Sequence, residues 1–367
     1  MAANIEIRTI NGVETASFIE NGSKQIAWHQ LGTRTDGAIT AEEALKGAHA
    51  DFNVSLQPVV AITPEMETLI ANGESIPAEE LKKMLINNRM ATMRTDYNEV
   101  LGVVGDGYGV VQNREAFNFI DILTNGELGS NTPTIECAGV LGKGERIFIT
   151  AKFPESIAIG KDDIINNYVI FTTSHDGSGA VTCLLSPIRV VCQNTLNMAF
   201  RENNGRVSFK HTRNVSQRID LTNEMNAKHA YRVLGLYNTY MDVFKAKIEK
   251  LAQTKLEDKW VDDILAQTIL PEDSYKIFKA SDFGINADDI STRSKNSFNA
   301  IKDAFYNGIG QEYLEPNTGL WMINGLTTYY QNNNLWKDEE KKFNAIVDGS
   351  VQSKLQNMYN LIENVAA

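Results

Sequence analysis

The chain has 367 residues, 43% of them hydrophobic and 22% charged, with a formal net charge of −11. At about 150 residues per domain this length suits two domains, and the composition excludes wholesale disorder or a coiled-coil rod. No stretch of about 18 apolar residues offers a membrane helix, and the N-terminal MAANIEIRTINGVE lacks the apolar core of a secretion signal, so a cytosolic protein without a membrane partner is expected.

Ile5, Ile7 and Thr9 alternate with polar neighbours as a first strand, and Asn21-Gly22 supplies a turn. Thr40-Ala41-Glu42-Glu43 is a capping box that opens a helix through Leu45 and Ala48. Val54, Leu56, Val59, Val60 and Ile62 spell a strand broken at Pro58, since proline has no N–H for a ladder. Pro77 suits the start of a helix continuing from Glu79 to Ile86. Met93 to Val104 reads as a strand pair turning at Tyr97-Asn98-Glu99. Asn113 is expected to cap a helix with Ala116, Phe117, Ile120 and Leu123 inside.

Residues 134–200 are the most regular part. Four strand-like runs, Ile135–Leu141, Arg146–Phe153, Tyr168–Thr173 and Ala180–Leu185, are joined by short polar or glycine-containing loops and predict a four-stranded antiparallel meander. After Pro187, Val190, Val191, Leu196 and Phe200 are spaced for a helix over one face of that sheet. From residue 219 the pattern is helical. Val233, Tyr237, Tyr240, Phe244, Ile248 and Leu251 share one helix face, and Ser291 caps a helix that buries Phe298, Ile301 and Phe305 and stops at Gly308. Leu320 to Tyr330 is an aromatic-rich helical stretch, a last helix runs from Asp338 through Ile362, and residues 271–291 read as an acidic loop. The expected class is α+β: an N-terminal antiparallel β-meander with packed helices, then a mostly helical C-terminal region, with domains at 1–218 and 219–367.

Charge is unevenly spread. Residues 139–218 hold ten Lys and Arg against six Asp and Glu, so that block is net positive on an acidic chain. Within residues 177–218 the basic side chains Arg189, Arg201, Arg206, Lys210, Arg213 and Arg218 face one acid, Glu202. Screening over about 8 Å lets such a stripe attract phosphate despite distant carboxylates. A solvated stripe matched to acidic helices of another subunit gives the same count.

No catalytic signature emerges. Gly139-Val140-Leu141-Gly142-Lys143-Gly144 lacks the order of a phosphate loop and sits in a hairpin. His29, His49, His175, His211 and His229 never fall at zinc-ligand spacing, and Cys137, Cys183 and Cys192 form no C-x-x-C, so no metal or other cofactor is expected and the thiols read as free and buried. Ser174-His175-Asp176-Gly177-Ser178 holds triad residue types side by side, but adjacent side chains diverge and cannot form a relay. The segment reads as a turn, with phosphate contact as the functional alternative. Arg189, Gln193 and Asn197 would line one helix face, a row that suits a nucleic-acid backbone or a subunit interface equally. Arg206, Ser208, Lys210 and Thr212 alternate with Val207, Phe209 and His211, as on a strand that tracks phosphates while Phe209 stacks on a base, or on a charge-protected edge strand.

Several segments occur together in order: Trp28-His29-Gln30-Leu31-Gly32, Gly102-Val103-Val104-Gly105-Asp106, Val111-Gln112-Asn113-Arg114-Glu115-Ala116-Phe117, Ser174-His175-Asp176-Gly177-Ser178, Arg189-Val190-Val191-Cys192-Gln193-Asn194-Thr195-Leu196 and His211-Thr212-Arg213-Asn214-Val215. With these the chain resembles the phage and plasmid family called domain of unknown function 932, over nearly its whole length. That resemblance implies residence in a bacterial host cytoplasm and brings no activity. A looser likeness, at fold level, links residues 134–200 to phage single-strand annealing proteins of the Redβ and Erf kind. Gly179, Thr182 and the basic Arg189 match their strand-to-helix segment, while its tyrosines are missing and Pro187 is inserted.

The resulting expectation is a non-enzymatic protein of phage or plasmid DNA metabolism that binds single-stranded DNA, with strand annealing in recombination as the extension. It would act as a homo-oligomeric ring or filament. The nucleic-acid site would lie in the 134–215 region, with Lys143, Arg146, Lys152, Arg189, Gln193, Arg201, Arg206, Lys210 and Arg213 on phosphates and Phe209 stacking. The alternative is an oligomerising interaction protein that binds no nucleic acid.

Overall fold

The computed structural model describes residues 6–10, 13–21, 33–35, 37–124, 132–158, 163–189, 194–195, 206–212, 235, 242–334, 336, 345 and 349–366. Antiparallel sheets with helices come first and a helical region follows, which is the expected α+β class. Ile7–Ile10 (β1) and Val13–Ala16 (β2) form a hairpin. Phe18–Asn21 (β3) pairs in parallel with Thr33–Thr35 (β4). The Thr40 capping box is present: Thr40 Oγ1 accepts from Glu43 N at 3.1 Å, and the Glu43 carboxylate accepts from Thr40 N at 2.8 Å, opening Ala41–Gly47 (α1).

Val54–Val60 (β5), Leu85–Arg94 (β6) and Glu99–Gly105 (β7) build a three-stranded sheet in that order. Proline 58 does not break β5. It pairs with Met90, and a bulge before Val60 absorbs the irregularity, which an edge strand tolerates because a missing N–H there leaves no central ladder bond unmade. Pro64–Ala71 (α2), capped by Thr63, and Ala78–Lys83 (α3) lie between β5 and β6. The helix expected to reach Ile86 ends at Lys83, because Leu85 pairs with Val60 and cross-strand pairing overrides the local helical run. Asn113–Thr124 (α4) follows, with Ala116, Phe117, Ile120 and Leu123 buried as expected.

The meander is Thr134–Leu141 (β8), Arg146–Ala158 (β9), Ile164–Ser174 (β10) and Val181–Arg189 (β11), each strand beside the next. On β9 the alternate residues Ile147, Ile149, Ala151 and Phe153 are all buried, as the two-residue period of a strand requires. Strand β3 adds to the β8 edge, with Phe18 opposite Gly139. Asn194–Thr195 (β12) and Arg206–Phe209 (β13) pair with β11. This corrects the expected helix after Pro187: Ile188 faces Thr195 and Arg189 faces Asn194 in an antiparallel hairpin. The β-branched Ile188 and Thr195 favour an extended chain over a helix. Val190, Val191, Leu196 and Phe200 themselves lie outside the described residues.

Two compact units divide the chain. One comprises Met1–Ala151, Ile170–Cys183 and Val207–Arg232; the other comprises Lys152–Val169, Leu184–Arg206 and Val233–Ala367. In the second unit residues 242–253 are helical and bury Phe244, Ile248 and Leu251, while Val233, Tyr237 and Tyr240 of that expected face are outside the description. Helices Asp258–Ile269, Glu272–Ala280, Thr292–Asn307, Gly319–Thr328 and Ser350–Ala366 follow. Glu272–Ala280 occupies the stretch expected as an acidic loop, because Phe278 is buried and gives it an anchoring face. Ser291 caps its helix by accepting from Ser294 N at 3.2 Å, and Gly308 closes it, as expected. Of that expected last helix, Ser350–Ala366 is described together with Val351, Leu355 and Ile362 in its buried face.

Every residue of Gly319–Thr328 is buried, so its polar groups need internal partners. Asn324 donates to Gln311 Oε1 at 3.1 Å, and Gln311 donates to the Trp321 carbonyl at 3.0 Å. No described helix is long and apolar enough to cross a membrane. Gly325 tests the packing here. A methyl group at this position would lie 2.2 Å from Phe305 Cδ1 and 2.9 Å from its backbone Cα. Helix propensity favours alanine by about 1 kcal/mol, while overpacking costs ~1–3 kcal/mol. The obstacle includes backbone, so overpacking prevails: Gly325→Ala is expected to lower stability in urea unfolding, and a gain would show that the helix pair can separate freely.

Candidate functional site

One end of the sheet in the first unit gathers loops from distant parts of the chain. The β8–β9 hairpin is tied to the β10–β11 loop where His175 N donates to the Glu145 carbonyl at 2.7 Å. The segment after β13 joins them: Gly109 N donates to the His211 carbonyl at 3.3 Å, and the His211 ring stacks on Tyr108 at 4.8 Å. The Tyr108 hydroxyl donates to the Ser174 carbonyl at 3.0 Å. Function concentrates on loops held by a rigid scaffold, and this end has that construction.

The scaffold beneath is ionic. Arg94 on β6 is completely buried. Its Nη1 donates to Glu6 and to the Lys143 carbonyl, both at 2.6 Å, and Nε and Nη2 grip the two oxygens of Asp96 at 2.8 Å each. The guanidinium lies over the Phe52 ring at 3.9 Å. Glu6 also accepts from Ser17 Oγ at 2.8 Å and pairs with Arg8, which reaches on to Glu99. Burial alone would raise the Asp96 carboxyl, but the hydrogen bonds and charge of Arg94 hold it below the usual carboxylate range. Hydrogen bonding to Arg8 holds Glu99 low in the same way.

His175 sits beside this cluster with no exposure to water. Asn113 Nδ2 donates to the Ala50 and Phe52 carbonyls at 2.8 and 3.2 Å, which turns Oδ1 toward His175 Nε2 at 2.7 Å. The imidazole therefore carries its proton on Nε2. Burial, with His211 and the Arg94 charge adding to it, pushes the His175 pKa down to about 3. His211 is also lowered, by burial, against the opposing pull of its Gly109 hydrogen bond and the Asp176 charge. Among the described residues, His175 Nδ1 and Ser174 Oγ have no hydrogen-bond partner. Asp176 makes the expected turn: its Oδ1 accepts from Ser178 N at 2.9 Å and from Ser178 Oγ at 2.7 Å, and Gly177 takes a left-handed φ of 82°. Asn113 does not cap α4. Glu115 reaches back to Gln112 N at 3.1 Å instead, which frees the Asn113 amide for His175.

Three of the residues expected on phosphates gather at this sheet end. Lys143 is exposed at the hairpin tip and Lys210 is exposed just after β13. Arg146 is only 7% exposed and donates to Ser178 Oγ at 3.2 Å, so its charge is turned into the loop and not toward a surface groove. Lys152 is half-buried on β9 and falls in the second unit. Arg189 lies in β11 and Arg206 and Phe209 in β13, with only their backbones described. Gln193, Arg201 and Arg213 lie outside the described residues. Sequence reasoning missed Glu6 and Arg94, whose pairing spans 88 residues and leaves no local signal. Among the described residues no group of three or more His, Cys, Asp or Glu side chains is placed to hold a metal ion. Cys137 Sγ lies 3.0 Å from Thr150 Oγ1, and Cys183 is buried; both are free thiols.

Fold and site together define an α+β protein whose loop cluster stands on a sealed ionic and imidazole centre. The chain matches the family model described as Domain of unknown function (DUF932) over residues 100–347, and it belongs to that family. The match takes in Tyr108, Asn113, Ser174, His175 and His211 and leaves Glu6 and Arg94 outside it. No curated protein and no solved structure matches the chain.

The buried histidines set a pH dependence. With its folded pKa near 3 against about 6.5 unfolded, His175 takes up a proton on unfolding throughout that window. Stability is therefore expected to fall as pH drops below about 6.5, with a limiting slope of ~1.4 kcal/mol per pH unit from this group. His175→Gln, which keeps a donor for Asn113, should flatten the slope in urea unfolding between pH 7.5 and 5. An unchanged slope would assign the loss to other groups.

Proposed function

We propose that the protein binds single-stranded DNA in phage or plasmid DNA metabolism, and that as a ring or filament of like subunits in the host cytoplasm it anneals strands. The reading needs neither a cofactor nor a catalytic residue. The observation that carries it is the pair of exposed cations at one sheet end: Lys143 and Lys210 both face solvent, and neither forms an ion pair among the described residues. Among the described residues, exposed cations without an ion pair also occur at Lys83, Arg89, Lys245 and Arg293, so what sets Lys143 and Lys210 apart is that they stand together on one loop cluster. Unmatched cations on a loop cluster are available for phosphate. The strand from Arg206 to Phe209 adds to the same reading, because its sequence interleaves basic residues with a ring able to stack on a base. So does the excess of positive charge in residues 139–218, where Arg189, Arg201 and Arg213 would supply further contacts.

Fluorescence anisotropy with labelled oligothymidylate across a salt series tests the proposal. Each Lys or Arg on a phosphate contributes about −0.7 to the log–log salt slope on a single strand. Lys143→Ala and Lys210→Ala should each weaken binding and flatten the slope by that amount. Phe209→Ala should cost ~1–3 kcal/mol with the slope nearly unchanged, since stacking releases few ions. Lys82→Ala is the control, because Lys82 already pairs with Glu79 at 2.9 Å on an exposed helix. A parent protein that shows no binding at low salt removes the DNA reading and leaves the interaction-protein alternative. A monomer with and without oligonucleotide in mass photometry removes the ring or filament.

A further inference from the structure

Residues 61–90 leave the end of the β5–β6 pair as an arm built on α2 and α3, and of its residues only Met66 is buried. The first five residues of β6, Leu85 to Arg89, are all exposed. Successive side chains of a strand point to opposite faces, so neither face of this stretch is covered. Its edges are open as well. Strand β7 meets β6 only from Arg89 onward, opposite Gly105, and β5 pairs with Leu85 and next with Met90. Ile86, Asn87 and Asn88 therefore have no residue opposite them in either ladder. Ile62 and Ile70 are exposed on the same arm. An arm that buries one side chain gains little from its own packing, and an apolar group left uncovered marks a surface that meets another molecule.

Charge on the arm is segregated. Its acids, Glu65, Glu67, Glu74, Glu79 and Glu80, all precede Leu81, while the stretch from there to Arg89 holds Lys82, Lys83 and Arg89 and no acid. Lys82 pairs with Glu79, but Lys83 and Arg89 are exposed and form no ion pair among the described residues.

The second unit carries the opposite arrangement. Tyr306, Ile309 and Tyr313, 57%, 54% and 48% exposed, stand at the end of Thr292–Asn307 and on the turn that follows it. The turn is firmly held. The Tyr306 ring meets Trp321 edge-on at 5.1 Å, Asn324 donates to the Ile309 carbonyl at 3.4 Å, and Gln311 donates to the Trp321 carbonyl at 3.0 Å. Rings fixed in advance lose little freedom on binding, and tyrosine is frequent among the residues that carry binding energy. Asp303 and Glu312 flank them in the sequence, exposed and without a cation partner among the described residues. Lys302 and Lys255 are already paired with Asp262 and Glu315. Unmatched carboxylates beside these rings repel phosphate, so the turn is unsuited to a nucleic-acid strand and suited to a cationic, apolar partner.

We infer that the arm of one copy docks on the Tyr306–Tyr313 turn of a second copy, Leu85 and Ile86 against the tyrosines and Ile309, and Lys83 and Arg89 facing Asp303 and Glu312. Arm against arm would set cation against cation, and turn against turn carboxylate against carboxylate, so the complementary pairing is head-to-tail. A head-to-tail contact repeats from copy to copy, closing as a ring or growing as a filament. The inference deepens the assembly part of the proposed function and rests on that part alone, not on DNA binding.

Mass photometry and analytical ultracentrifugation of the full-length chain, over a concentration series with and without oligothymidylate, test it. The parent should assemble beyond a dimer. Ile86→Glu and Ile309→Glu, both at exposed positions, should melt with the parent yet weaken assembly about tenfold or more. Mixed together, these two should stop at a one-to-one dimer, because one supplies an intact turn and the other an intact arm. Arg89→Glu and Glu312→Lys should each weaken assembly, and the chain carrying both should regain it, which a loss of folding cannot mimic. Lys276→Ala, at a lysine paired with Glu272 in the second unit, should behave as the parent. The inference is overturned if either glutamate variant assembles within twofold of the parent, if their mixture grows past a dimer or stays monomeric, or if the double charge exchange fails to restore assembly. Assembly that ignores both surfaces sinks this contact and spares the ring or filament. A parent that stays monomeric under every condition overturns both, leaves the arm and the turn to partners other than this chain, and does not touch the salt-series test of DNA binding.

Discussion

A guanidinium sealed from water has to find its counter-charges inside the protein, and much of the first unit is arranged around meeting that condition for Arg94. Glu6 comes from the start of the chain, Asp96 from the β6–β7 turn and a carbonyl from Lys143 in the β8–β9 hairpin. Three segments with no sequence proximity are thereby fixed to one atom group. Such a cluster contributes little net stability over a well-packed apolar one, because desolvating the charges offsets most of their attraction. Its effect is on register. Moving β1 or the hairpin would leave a buried charge unpaired, a penalty of ~3–5 kcal/mol, so alternative placements are excluded more strongly than the native one is favoured.

Burial decides the state of the imidazole next to that guanidinium. Desolvation disfavours a proton on His175 most, and His211 and the Arg94 charge disfavour it further. The ring is neutral at neutral pH, with its tautomer dictated by Asn113. Among the described residues no hydrogen bond joins the His175 ring to the Ser174 hydroxyl. What the pair contributes is a rigid floor: Phe52 packs its ring against both Arg94 and His175, at 3.9 and 6.3 Å, so the hairpin, the β10–β11 loop and the start of α4 share one support. The second unit solves its polar problem differently. Its buried helix Gly319–Thr328 carries no charge at all, and Gln311 and Asn324 satisfy one another and the backbone through neutral amides.

Local features were legible in the sequence. The caps at Thr40 and Ser291, the turn at Tyr97-Asn98-Glu99, the meander strands and the apolar faces of α4 and the later helices follow from propensity and period alone. Errors arose where distant pairing overrode those local signals. Leu85 and Ile86 continue a helical run in sequence but meet β5, and the segment after Pro187 has helix-compatible spacing but folds back as β12. Asn113 illustrates a different ambiguity. An asparagine at a helix start reads as a cap, and only the position of His175, 62 residues on, assigns its amide elsewhere. The site was legible in part for the same reason. Counting charge found the region and its exposed lysines, yet gave no means of telling Arg146, turned inward, from Lys143, turned outward.

That difference between inward and outward cations bears on the local potential of an acidic protein. Charges separated by more than about 8–10 Å in water are largely screened, so the net charge of −11 is felt weakly at any one point of the surface. Buried charges are screened far less, and the Arg94 cluster is close to balanced by its own carboxylates, so it adds little field beyond its contacts. The potential at the loop end is then set by its own groups: Arg146 beneath the loop, Lys143 and Lys210 outside it, and Asp176 and Glu145 against them. Glu145 accepts from the backbone of its own hairpin, and Asp176 from Ser178, so both carboxylates are engaged locally while the two lysines are not. The ionic and imidazole core beneath holds these loops in place through the Arg94 bond to the Lys143 carbonyl and the His175 bond to the Glu145 carbonyl, so the buried polarity fixes where the two lysines stand.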